Sequence, residues 1–172
     1  LVDELKTTLS KAFENSQYED AKATLVKEFQ EQVNSLMESV RNWAMEKGFS
    51  IKRTPQGFVN IPLSQAKDEE GNVISKEMQQ EEFENLSEAE QKQLQARSEE
   101  VSQKTLEVLR KIRDLEKNLK EKIKNLEAEI CRNAIRPYLA DLKTQYGKGE
   151  KITEWIDALT DDIIENFNIF IA

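Results

Sequence analysis

Apolar residues recur along most of this chain at steps of three and four, and at steps of two over one short stretch. Val2, Leu5, Leu9 and Phe13 form a first stripe at helical spacing, which predicts an amphipathic helix from the start of the chain to about Phe13. Asn15 and Ser16 then offer side-chain oxygens to first-turn amides, so a second helix is expected to begin there. It should run to Lys47, where Gly48 can adopt the left-handed conformation that ends a helix.

Within that second helix, Val26, Phe29, Val33, Leu36, Val40 and Trp43 alternate steps of three and four and fall on one seam. An amphipathic surface helix could carry the same stripe. A second series downstream, Val101, Thr105, Val108, Ile112, Leu115 and Leu119, tips the reading toward two helices packed antiparallel, with Trp43 near Val101 and Val26 near Leu119.

The downstream helix opens at Ser87, whose hydroxyl can cap while Glu90 reaches back, the S-x-x-E pattern. No glycine follows until Gly147, and a helix of that span would be on the order of 90 Å long, which predicts a projection rather than a compact ball. Beyond Leu119 the spacing shifts to Ile123, Leu126, Ile130 and Ala134, turning the apolar face toward another partner. Pro137 lacks an amide hydrogen and crowds the preceding turn, so a kink or break costing roughly 3 kcal/mol is expected near 133–136. After the breaker 147–149, Ile152, Trp155, Ile156, Leu159, Ile163 and Phe167 form a last broad apolar face.

Period two appears between the long helices. Phe49 to Thr54 and Phe58 to Leu63 alternate around Pro55-Gln56-Gly57, which predicts a β-hairpin. The polar run Lys67-Asp68-Glu69-Glu70-Gly71-Asn72 reads as a loop, and Ser75 as the cap of a short helix through Phe83.

The composition narrows the chemistry. The chain has 172 residues, 34% of them charged, with 5 Gly and 3 Pro, a balance that favours long helices in one domain. A net charge of -8 makes a nucleic-acid partner a poor expectation. No run approaches the roughly 18 apolar residues that span a bilayer, and the first segment is charged and amphipathic, so a cytoplasmic chain with no membrane partner is expected. With no histidine and one cysteine, Cys131, the chain has no Ser-His-Asp or Cys-His pair, no Cys/His zinc site and no internal disulfide. The missing initiator Met and the apolar end from Phe167 to Ala172 predict a piece of a longer protein.

Several local features invite a sharper reading, and each has a plainer one. The turn Arg53-Thr54-Pro55-Gln56-Gly57-Phe58 could present Arg53 and Phe58 to a substrate, although Pro and Gly already have a backbone reason to be there. Arg110, Lys111, Arg113, Lys117, Lys120, Lys122 and Lys124 could form a nucleic-acid stripe, but Glu107, Asp114, Glu116 and Glu121 interleave with them as on a solvated coiled-coil flank. Glu69-Glu70 and the acids from Glu81 to Glu84 lack the ligand register of a calcium loop. Cys131, with no histidine to activate it, reads as a packed side chain, and Trp43 and Trp155 as core residues.

The segment Ala12-Phe13-Glu14-Asn15-Ser16-Gln17-Tyr18-Glu19, followed one helix later by Lys47-Gly48-Phe49-Ser50-Ile51-Lys52-Arg53-Thr54-Pro55-Gln56-Gly57-Phe58-Val59, resembles the helical insert of the bacterial LonB/LonC-type, or Lon-like, AAA+ serine proteases. The likeness continues through Glu81-Glu82-Phe83-Glu84-Asn85-Leu86-Ser87, the long charged helix and Asp162-Ile163-Ile164-Glu165-Asn166-Phe167. Arg136-Pro137 inside the long helix departs from the family pattern. The resemblance implies a parent with ATP and Mg²⁺ at an ATPase module and a Ser-Lys dyad, none of which lies in this chain. It also implies a homo-oligomeric ring, with unfolded or damaged proteins and the rest of the protease as partners.

The expectation is therefore a mainly α chain: an elongated antiparallel coiled-coil arm (16–47 and 88–128), a tip with a β-hairpin (48–87) and a helical base (1–15 and 129–172). It should have no catalytic, cofactor or metal site, and should guard substrate entry or help substrate engagement and protomer arrangement. The alternative is a free-standing coiled-coil adaptor or scaffold for a helical partner. Because the cations on the long helix are matched by acids, the chain should not shift duplex DNA in a gel at moderate salt; tight, salt-sensitive binding would contradict this.

Overall fold

The computed structural model describes residues 2–146 and 149–166. The described residues are mostly helical: α1 (Val2–Phe13), α2 (Ser16–Glu46), α3 (Gln80–Glu84), α4 (Glu88–Tyr146) and α5 (Glu150–Glu165), with strands β1 (Phe49–Thr54), β2 (Gly57–Lys67) and β3 (Val73–Glu77). Two compact units divide the chain, one from Leu1–Phe29 with Lys117–Ala172 and one from Gln30–Glu116. This boundary crosses α2 and α4.

Local chemistry sets the element ends. The Asn15 side-chain oxygen accepts the Gln17 amide at 3.0 Å, and its carbonyl accepts Tyr18 at 3.1 Å, so Asn15 caps α2. At the far end Gly48 has φ +84, a conformation that a β-carbon would strain. Its carbonyl then receives the Leu63 amide at 2.8 Å, joining the helix stop to the sheet. The Ser87 box is reciprocal: the Glu90 amide donates to Ser87 Oγ at 3.2 Å and the Ser87 amide to Glu90 Oε2 at 3.0 Å.

In the Gln30–Glu116 unit the strands form an antiparallel sheet in the order β1-β2-β3. β1 pairs with β2 from Phe49↔Pro62 to Thr54↔Gly57, and β3 pairs with the rest of β2 from Leu63↔Glu77 to Lys67↔Val73. Pro62 marks the handover. Its carbonyl accepts the Met78 amide at 2.7 Å, but it has no N–H to give back, and the β2–β3 ladder stops one residue away.

β3 replaces the front of the short helix expected to start at Ser75, and helix forms only over Gln80–Glu84. The cause is Asp68, whose Oδ1 accepts the amides of Glu70 at 3.0 Å and Asn72 at 2.8 Å while Gly71 takes φ +84. That Asx-type loop returns the chain as a strand, and Val73 and Ile74, both β-branched, suit the extended backbone better than a helical first turn.

One face of the sheet supplies a core. Phe49 (0% exposed) and Ile51 are buried with Val40 and Ala44 of α2 and Val101 and Val108 of α4, with Phe58, Leu94 and Trp43 packed around them. On the same face Asn60 donates from Nδ2 to the Ser98 carbonyl at 3.1 Å and to Ser102 Oγ at 2.6 Å. The opposite face carries Lys52 of β1 ion-paired with Glu77 of β3 across the intervening β2.

In the unit of Leu1–Phe29 with Lys117–Ala172, Leu5, Leu9 and Phe13 of α1 are buried with Cys131 and Ile135 of α4 and Ile163 of α5. Val2, expected on the α1 stripe, is 56% exposed. Of the kink or break expected near Pro137, the break does not occur: α4 continues through it to Tyr146. Packing offsets the lost hydrogen bond: Cys131 and Ile135 are fully buried, Tyr138 and Leu139 lie against the same cluster, and the Tyr138 hydroxyl bonds Thr8 Oγ1 at 2.8 Å.

Two substitutions test this account by urea denaturation of the chain. Phe49→Ala should lower stability by about 3–5 kcal/mol, and Ser87→Ala by about 1 kcal/mol. A negligible loss for Phe49→Ala would remove the sheet from the core.

Candidate interaction site

The long-spaced apolar residues are not equally covered. On α2, Val40 is 2% exposed, whereas Val26, Phe29, Val33, Leu36 and Trp43 are half-buried. On α4, Val101, Thr105 and Val108 are buried, and Ile112, Leu115 and Leu119 half-buried. Within the Gln30–Glu116 unit, Leu36, Val40, Trp43, Val101, Val108 and Ile112 belong to one cluster. Ala44, which sequence reasoning passed over, is fully buried there. The clue was the step of four from Val40.

Thr105 keeps its hydroxyl satisfied inside the cluster by donating to the Val101 carbonyl at 2.9 Å. Trp43 lies at the cluster's rim, with Lys47 Nζ 5.6 Å from its ring centroid and 3.5 Å from Glu100 Oε1. That ion pair is too exposed to contribute more than about 1 kcal/mol.

The two candidate contact residues of the turn are cross-strand partners, Arg53↔Phe58. Arg53 is exposed, but Phe58 packs against the cluster under the sheet, which gives it a structural task. The exposed apolar side chains of this unit are Met45, Val59, Val73, Ile74 and Leu106. On α5 the structure corrects one expectation: Trp155 is 60% exposed and Ile152 39%, while Ile156 and Ile163 carry the burial. Helical spacing placed Trp155 on the apolar side, but the other helices of its unit cover only the adjoining strip. Phe167 lies outside the described residues.

The other unit contains an open cleft of about 460 Å³ where the α1–α2 corner meets α4, bounded by Ala12, Asn15, Tyr18, Leu126, Ile130 and Asn133 among others. Tyr18 organises that corner. Its ring meets Phe13 edge-on, with centroids 5.1 Å apart and planes at 87°. Its hydroxyl donates to Glu127 Oε1 at 2.8 Å. Burial, and then the hydrogen bond and negative charge of Glu127, push the phenol up to about 12.

Two further titratable side chains are shifted from their ordinary values. Burial raises the Cys131 thiol above its usual range, which disfavours the thiolate. The exposed Glu107 carboxyl is lowered by its hydrogen bond to Lys111 and by Lys104, both ion-paired with it along the helix. Among the described residues, no group of three or more His, Cys, Asp or Glu could hold a metal ion, and no helix is long and apolar enough to cross a membrane.

No protein-family model matches the chain, and no curated protein or solved structure matches it either.

The Tyr18 geometry has a signed consequence. Its folded-state pKa lies above the ordinary value of 10.0, so its contribution to stability is complete below about pH 10 and is lost as pH rises toward about 12. Tyr18→Phe should cost about 1–3 kcal/mol near neutral pH and flatten the alkaline decline in stability. A pH-stability profile with the same alkaline slope in both proteins would contradict the Tyr18–Glu127 bond.

Proposed function

We propose that this chain is a non-catalytic helical insert of a Lon-like ATP-dependent protease, acting as a coiled-coil arm that guards substrate entry or helps engage unfolded protein. The ordered motif series carries the reading. The run from Ala12 to Glu19, the run from Lys47 to Val59, the run from Glu81 to Ser87, the long charged helix and the closing run from Asp162 to Phe167 resemble that insert in order and spacing. The packing of Val40 and Ala44 with Val101 and Val108 supports a pairing of α2 with α4, and the sheet lies between those helices in sequence.

In this reading ATP, Mg²⁺ and the Ser-Lys dyad belong to the parent, which assembles as a homo-oligomeric ring in the cytoplasm. The segment 48–87 forms the tip, with Arg53 the exposed candidate for substrate contact. The parent reading frame separates this proposal from a free-standing coiled-coil adaptor: a phosphate-binding loop before the chain and a Ser-Lys domain after it favour the protease.

Deleting 48–87 from the full-length protease, with a short glycine-serine bridge in its place, should reduce degradation of an unfolded protein several-fold more than cleavage of a small peptide. Equal loss on both substrates would overturn the gating role.

A further inference from the structure

We draw no further inference here: the strongest candidate, the outer edge of the sheet along β3 with Val73 (62% exposed) and Ile74 (43% exposed) at its start, is a short strand already guarded by Lys76, and nothing in the structure shows what covers it.

Discussion

The packing of Phe49 and Ile51 in one cluster with Val40 and Ala44 of α2 and Val101 and Val108 of α4 is the constraint on which the Gln30–Glu116 unit depends. Neither helix segment has enough apolar surface of its own to justify its length, since most of its other positions are charged or polar. Each gains its stability from the shared cluster. The sheet in turn is small and has one solvent-facing side, and a ribbon of this size is marginal without a helix to cover it. The helices and the strands are therefore interdependent, and Gly48 and Ser87, which set where α2 stops and α4 starts, act by aligning those partners.

The other unit solves the same problem with helices alone. Leu5, Leu9 and Phe13 enclose Cys131, Ile135 and Ile163, and the polar ties from Tyr18 to Glu127 and Thr8 to Tyr138 fix the corner of α1 and α2 against α4. That density of packing is why a proline is tolerated inside α4. A local rule assigns Pro137 a cost, and the neighbouring burial of Ile135 meets it. Conformational preference is a weak force beside a closed core.

What could be read from sequence was local chemistry with a single outcome. The Asn15 cap, the Gly48 stop, the Ser87–Glu90 exchange and the alternation of β1 each depend on groups within a few residues of one another. The third strand was not legible, because it depends on Asp68 folding its carboxylate over the amides of Glu70 and Asn72, an arrangement that a polar run leaves open. Trp155 was misplaced for a different reason: periodicity identifies a face but does not say how wide a strip the neighbouring helices cover. Ala44 was overlooked because a small residue gives little hydrophobic signal, although it is fully buried in the cluster. Arg53 and Phe58 were legible as a pair, and the register makes them direct cross-strand partners, so it is burial against the cluster that distinguishes the packed ring from the exposed cation.

The proposed role rests on the sequence resemblance, and the packing bears on how the chain would perform it. In that proposal the chain acts through the surface it presents, and the cluster shared by α2, the sheet and α4 holds that surface together. The most direct test is amide hydrogen exchange on the intact chain, following 30–46 and 94–112 with and without Val101→Ala. Joint protection of both segments, lost together in the variant, is the predicted result. Protection that persists unchanged in α2 while α4 opens would contradict a shared core and the account built on it.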